Sequence, residues 1–445
     1  MNPAENALAG EFSQRTRAKG KRKRVLSGMR PTGRLHLGHY FGALSNWLKL
    51  QEEYDCFYFV ADWHALTTHY EETSSIAQNT LEVVTDWLSV GLDPEKSTMF
   101  VQSQILEHAE LHLLLSMVTP LSWLERVPTY KEQIENLRDR NLGTYGFLGY
   151  PLLQTADIVM YGVPKTELLV PVGEDQAPHI ELSREIVRRF NAYFGLRVDR
   201  DKLSAPRNLE AATALCTQLS LQPGQQFTWE SAPSAVDVAQ RIRRHAAEIG
   251  FKNFVESYPK CRPFIRQESI LREPEVMLTE TPRLPGTDGR RMAKSYGNAI
   301  WLSDPPDEIR GKVHNMMTDP QRVRRTDPGR PEVCPVFAYH KLFSTPDVIA
   351  WSDHGCRTAE IGCVDCKAKM AEGLIRWIEP IQARRKELEA QPQQVWDILD
   401  AGSAQARKTA RRTMRRVREA IFDWDAVRKA ASVAGPSIRK VATGD

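Results

Sequence analysis

Short apolar runs alternate with amphipathic stretches through the first part of the chain. Arg24-Val25-Leu26-Ser27-Gly28 reads as a buried strand that runs into a Gly/Pro/Thr turn, MRPTGRLHLG, and then into an amphipathic helix from about His36 to Gln51. Further apolar runs follow at Cys56–Val60, Thr98–Val101 and Leu168–Val172, with helical segments between and after them. Short buried strands alternating with helices predict an α/β fold. Its parallel sheet is covered on both faces, and ligands sit beyond the carboxyl ends of the strands.

The pattern then changes. From about Pro206 to Arg272 it is less regular, with a polar loop, LQPGQQFTWESAPS, and a helix over Ala235–Ile249, and it reads as an insertion. A Gly/Pro-rich loop, LPGTDGRRMAKSYGN, comes next, and from about Asp304 nearly everything is helical. The expected organisation is a basic tail (1–24), a sheet domain (25–205), the insertion (206–272), a return to the sheet domain with the basic loop (273–303), an all-helical domain (304–422) and a second tail (423–445). The last strong helix, from about Val395 to Phe422, carries Arg407, Lys408, Arg411, Arg412, Arg415, Arg416 and Arg418. Such a helix either tracks a phosphate backbone or presents a solvated face, and charge alone does not choose.

At 445 residues, 41% apolar and 26% charged, the chain can bury a large core in two or three domains. The net charge is +4, but the first 24 residues hold seven Lys/Arg against Glu5 and Glu11, so the rest is near neutral. Nucleic-acid contacts beyond the tail must therefore come from local patches, and the run Lys21-Arg22-Lys23-Arg24 is either a phosphate-binding arm or a solvated leader. The N-terminus has no apolar signal region, and no stretch approaches the ~20 apolar residues that cross a bilayer, so a cytoplasmic protein with no membrane partner is expected. Seven cysteines without an export signal suit metal or free-thiol roles in a reducing compartment.

Two separated motifs carry candidate chemistry. His36 and His39 stand three apart at a helix start, where orphan backbone N–H groups attract anions, and both imidazoles can donate to phosphate oxygens. Far downstream, Arg291-Met292-Ala293-Lys294-Ser295 offers two cations in a loop after Gly286 and Gly289. Phosphoryl and nucleotidyl transfer need in-line positioning and cations on the spreading charge, which a closing loop supplies. Taken singly, the first motif is an incidental His pair and the second a basic surface loop.

Taken together they resemble a family. HLGH matches the H-I-G-H signature of class I aminoacyl-tRNA synthetases, and RMAKS resembles their K-M-S-K-S signature. Resemblance to bacterial tryptophanyl-tRNA synthetases extends from about Val25 to Phe422 and includes SGMRPTG, FVADWHALT, YPLLQTADIVMYG and LVPVGEDQAPHIELSREIVRRFN. It implies a Rossmann-like catalytic domain with a helical tRNA-binding domain, ATP with Mg2+, L-tryptophan, tRNA(Trp) and a homodimer. By the same resemblance Met29, Arg30, Gly38, His39, Gly173, Asp175, Gln176, Arg291, Met292, Lys294 and Ser295 line the nucleotide, with His36, His39, Arg291 and Lys294 catalytic. Arg291 and Ala293 depart from the signature: one exchanges a point cation for a fork, the other loses a hydroxyl.

Indole has one polar handle, its N–H, so a pocket that selects it needs an acceptor at the bottom of an apolar slot. Asp157, read as lying at the start of an apolar helix, is that acceptor or else a helix N-cap. The resemblance favours the acceptor and adds Tyr150, His64, Gln154 and Gln176 to the tryptophan site; Gln154 stands where Met is frequent. Cys334, Cys356, Cys363 and Cys366, separated by 21, 6 and 2 residues, suit either zinc or a [4Fe-4S] cluster. The words PEVCPVFAYHK and GCRTAEIGCVDCK resemble the synthetase subset with the cluster, which makes iron-sulfur the expectation and zinc the second choice. Three other readings remain: a tyrosyl enzyme, a non-catalytic tRNA-binding paralogue, and a small-substrate adenylyltransferase.

Overall fold

The first apolar run becomes strand β1 (Arg24–Met29), the second β2 (Asp55–Val60) and the third β3 (Ser97–Val101). They pair in parallel, with Val25 opposite Cys56 and Phe57 opposite Thr98. β2 is buried along five of its six positions, as a strand covered on both faces must be. Tyr58 stacks on Trp47 of the helix Ser45–Glu53 at 4.3 Å, and Trp47 meets Trp87 of the helix Ile76–Ser89 edge-on. Gly28 leaves room for the Phe59 ring, because a Cβ there would sit 2.6 Å from it.

The structure is a computed structural model; it describes residues 23–127, 143–199, 235–279 and 284–422, with a few isolated positions besides. The basic tail up to Arg22, the loop LQPGQQFTWESAPS and the C-terminal tail apart from two isolated positions lie outside the described residues. The chain divides into two compact units, one of residues 1–104, 171–174 and 277–406, the other of 105–170, 175–276 and 407–445.

The sheet has the order β3-β2-β1-β4-β7, where β4 is Leu168–Val172 and β7 is Glu275–Leu278; β1, β2 and β3 lie in the first unit. The N–H of Thr279, just past β7, donates to the Val172 carbonyl at 3.2 Å. The helical region of this unit contains Pro306–His314, Pro335–Phe343, Pro346–Arg357, Cys363–Glu389 and the first half of Pro392–Ile421. Gly402 in that last helix lies so close to the Met99 backbone that no Cβ fits.

The second unit is built on the helices Glu107–Ser116, Tyr150–Met160, Ala177–Phe194 and Ala235–Ile249, with a small antiparallel pair, β5 (Leu196–Val198) and β6 (Ile265–Gln267). Ile242, Ala246, Phe254, Cys261 and Phe264 form a core with Leu196 and Val198. The described part of the irregular stretch is thus tied into a core of its own. Among the described residues, no helix is long and apolar enough to cross a membrane.

Candidate active site

The loop after β1 turns at Gly33 (φ +93°), enters the buried Leu35 and delivers His36 as the residue before the short helix Leu37–His39. A π-helical stretch, Tyr40–Leu44, leads into the regular helix Ser45–Glu53, so the helix expected over about His36–Gln51 is present as a continuous helical path with a π-helical turn directly after His39. The His36 N–H donates to His39 Nδ1 at 3.2 Å, and the two rings lie 3.7 Å apart. Nδ1 of His39 is therefore an acceptor, which leaves the proton of the neutral ring on Nε2. Gly38 is required here: a Cβ would come within 2.9 Å of the His36 ring.

The downstream loop meets this one. Leu37 N–H donates to the Ile300 carbonyl and Leu302 N–H to the Leu35 carbonyl, both at 2.9 Å, and His36 pairs with Trp301 in a short bridge. Gly38 N–H approaches Met292 Sδ at 3.3 Å, while Lys294 Nζ lies 4.0 Å from where a Gly33 Cβ would be. Arg291, Lys294 and Ser295 are exposed and Met292 is buried, so the loop anchors by the methionine and presents its cations. Met29 ends β1 and Arg30 follows it. The structure thus brings His36, Gly38, His39, Arg291, Met292 and Lys294 together.

Sequence reasoning missed the residue that shapes the basic loop. Asn298 is buried, donates from Nδ2 to Asp288 Oδ1 at 2.7 Å and to the Arg291 carbonyl at 3.0 Å, and accepts the Ala293 N–H at 2.9 Å. Its bond, followed by those from Arg290, holds the Asp288 carboxyl well below the usual range. Ala293 contributes backbone groups, its N–H to Asn298 and its carbonyl to the Tyr296 N–H, so the missing hydroxyl leaves the loop's fastening intact.

Burial, with Arg291 adding repulsion, drives both histidines to their neutral forms: His36 is lowered to about 3, where His39 also weighs against a charge, and His39 to about 4. The cationic work falls to Arg291 and Lys294.

The second unit holds the other candidates. Tyr150, Gln154 and Asp157 share the helix Tyr150–Met160, whose N-cap is Gly149. Asp157 therefore lies in the last turn and not at the start, because the helix begins seven residues before it; it is no N-cap. Its carboxylate is fully buried, with Oδ1 2.7 Å from His108 Nδ1, and His108 Nε2 is 2.7 Å from Tyr161 Oη. The two contacts link Tyr161, His108 and Asp157 in one buried chain. His108 and Tyr161 are further omissions of the sequence reading; the signal was the pair His108 and His112, four apart in EHAELHLLL.

Gly173 and Glu174 close β4 in the first unit, and Asp175 and Gln176 open the second, with Gln176 Nε2 donating to Asp175 at 3.1 Å. His64 is buried on the helix Asp62–His69 of the first unit. On the basic helix, Arg407 and Arg411 reach Glu107, Arg418 reaches Glu110, and Arg416 donates to the Gly162 carbonyl at 3.0 Å, so much of its charge is answered within this unit.

Cys334 precedes the helix Pro335–Phe343, Cys356 ends Pro346–Arg357, and Cys363 and Cys366 open Cys363–Glu389. Burial raises the Cys366 thiol to about 11, and the charges of Cys334, Cys356 and Cys363 reach it too, so the four are neighbours. Ser352 Oγ and His340 Nε2 approach Cys366 Sγ at 3.2 and 3.4 Å, and Arg322 approaches Cys356 Sγ at 3.6 Å. Among the described residues no three His, Cys, Asp or Glu are drawn together as a single metal ion would hold them.

Comparison with known proteins gives a consistent picture. Residues 18–207 and 209–378 match the family described as tRNA synthetases class I (W and Y). The chain is 47% identical over 405 residues to the tryptophan–tRNA ligase of Ralstonia nicotianae, covering 90% of this chain and 98% of that one. It is 43% identical over 400 residues to that of Thermotoga maritima, covering 89% and 98%. Among solved structures it resembles the tryptophanyl-tRNA synthetase of Campylobacter jejuni in complex with ADP and tryptophan, with TM-score 0.65, 26% identity and coverage of 89% and 99%.

Neutral, buried histidines have a measurable consequence. An unfolded chain takes up protons near pH 6.5 that folded His36 and His39 refuse, so their contribution to stability is lost as pH falls from about 6.5 toward 4. In NMR titrations, assigned with His→Gln variants, both ring C2–H signals should stay at their neutral positions from pH 8 to about 5. Midpoints near 6.5 would show that the rings are not held neutral.

Proposed function

The chain belongs to the tryptophan–tRNA ligases, class I aminoacyl-tRNA synthetases, and from that premise we propose how its own residues divide the work. The enzyme activates L-tryptophan with ATP and esterifies it to tRNA(Trp). In the first step the tryptophan carboxylate attacks the α-phosphate of Mg-ATP in line; the new C–O–P link forms as the bond to pyrophosphate breaks. In the second, a hydroxyl of the tRNA's terminal adenosine, the 2′ by class analogy, takes the acyl group and AMP leaves. No side chain becomes covalently attached; orientation and charge stabilisation carry the rate.

His36 and His39 donate as neutral imidazoles to ATP phosphate oxygens, His39 through Nε2. Arg291 and Lys294 neutralise the pentavalent α-phosphate and departing pyrophosphate. Met29, Arg30, Gly38, Met292, Ser295 and the turn Gly173, Asp175, Gln176 line the nucleotide. The observation that carries this assignment is the fastening of the HLGH loop to the RMAKS loop, with two free-reaching cations beside two uncharged donors.

Asp157 accepts the indole N–H, its carboxylate oriented by the bond to His108; Tyr150, Gln154 and Gln176, and His64 on the first unit, are the further tryptophan-binding assignments. A buried carboxylate left unpaired penalises any side chain without a matching donor, which is how a synthetase discriminates by orders of magnitude. The reaction is cytoplasmic in this reading.

The four cysteines hold a [4Fe-4S] cluster, in this reading, and zinc is the second choice. Four neighbouring thiols with N–H and O–H groups at sulfur support it, and a cluster of several irons spreads its thiolates wider than the ~3.8 Å that one zinc with 2.3 Å bonds imposes. When bound it supplies covalent ties between helices and no electron transfer. A homodimer is supported by Leu106, Leu113 and Met117, more than half exposed and spaced by seven and four on one helical face beside exposed Leu121 and Tyr145.

Three measurements test these assignments. Lys294→Ala should slow tryptophanyl-adenylate formation by about 10²–10³-fold and change tryptophan affinity less than about threefold; equal losses in both would remove Lys294 from the transition state. Anaerobically purified protein should contain about four irons per chain and absorb visible light, whereas stoichiometric zinc without iron overturns the cluster. Sedimentation should give twice the chain mass, and Leu113→Glu the single mass; a monomeric parent rejects the dimer.

A further inference from the structure

Three successive residues of the loop before His36 meet one face of the helix Ile76–Ser89. A Cβ on Gly33 would lie 3.3 Å from Asn79 Oδ1, Arg34 reaches Glu82 at 3.2 Å, and the Leu35 N–H donates to Asp86 Oδ2 at 2.7 Å. Asp86 is completely buried, and its other oxygen accepts Arg385, itself 3% exposed, from the helix Cys363–Glu389. Arg385 also bonds Glu82, and its Nε donates to Glu389 at 3.0 Å. One turn earlier on that helix, Gln382 Nε2 donates to the carbonyls of Leu302 at 3.1 Å and Asp304 at 2.7 Å. Leu302 is the residue whose N–H grips the Leu35 carbonyl. The same turn of helix therefore holds both sides of the clamp on the HLGH loop.

A buried ion pair is a poor stabiliser, since desolvation offsets its attraction and apolar replacements are frequently neutral or better. Its geometry is the more telling property: a carboxylate with one oxygen on a guanidinium and the other on a single backbone N–H fixes that N–H along two axes. We propose that Arg385 and Asp86, seconded by Gln382, are positioning residues for ATP activation, setting the height of the loop that carries His36 and His39. This rests on the reading that those histidines bind ATP phosphates. Burial outweighs the opposing pull of Arg385 and the Leu35 N–H and leaves the Asp86 carboxyl raised to about 6; the charged groups around the pair are Glu82 on its own helix, Glu389, which bonds Arg385, and Arg34, which bonds Glu82.

The test compares tryptophan-dependent pyrophosphate exchange, normalised to titrated active sites, in full-length Arg385→Met, Arg385→Lys and the double variant Asp86→Leu/Arg385→Met, each with its melting curve. A displaced loop predicts that kcat falls on the order of 10²-fold in the double variant, with KM for tryptophan within about twofold and a cooperative melt retained. Arg385→Lys should recover part of the loss. Unchanged kcat per active site in a folded double variant would reduce the pair to scaffolding and overturn the proposal. If the pair variants do not accumulate, Gln382→Leu, which removes no charge, must lower kcat by itself; parental kcat there overturns it as well. His39→Ala is the control: full exchange in that variant would refute the phosphate-binding reading itself, a result distinct from any given by the pair.

Discussion

Two backbone hydrogen bonds, Leu37 to Ile300 and Leu302 to Leu35, are the constraint on which the site depends. They join a loop that follows the first strand to a segment from the far side of the chain, and they do so without using a side chain. The histidines of the HLGH loop and the cations of the RMAKS loop are placed relative to that seam. Gly38 can be nothing larger because it lies against His36, Met292 packs at its N–H, and the cations of Arg291 and Lys294 extend from the same short stretch. Asn298 then closes the basic loop on itself through three bonds.

The electrostatics follow from this packing. Burying two imidazoles against each other and near a guanidinium leaves no room for further positive charge, so the rings are neutral donors. The cations of the basic loop, Arg291 and Lys294, stand where solvent reaches them. The site thereby separates fixed, uncharged donors from charges on flexible stems, which suits a reaction that binds one polyanion and must release another. In the second unit an imidazole likewise sits between polar partners, with His108 joining the Tyr161 phenol to the buried Asp157 carboxyl.

Much of this was legible in the sequence, for identifiable reasons. β2 appears as a continuous apolar run because a doubly covered strand cannot alternate. HLGH and RMAKS were paired by their chemistry, and the structure places them in contact. What was not legible depends on long-range packing. β7, Glu275–Leu278, is short and half exposed, and only its neighbour in the sheet makes it a strand. Asp157 was misplaced within its helix because Pro151, which the structure puts in the first turn, marks the true start and was given no weight. His108, Asn298 and Arg385 look like ordinary helix or loop residues until partners 49, 10 and 299 positions away come beside them.

The central claim is that this seam serves the activation of tryptophan in particular, with Asp157 as the reader of the indole nitrogen. Exchange of labelled pyrophosphate into ATP by the purified chain, compared with tryptophan, with tyrosine and with no amino acid, tests it most directly. The account predicts exchange that depends on tryptophan and stays at background with tyrosine. Exchange supported equally by tyrosine, or none with either amino acid, would contradict it.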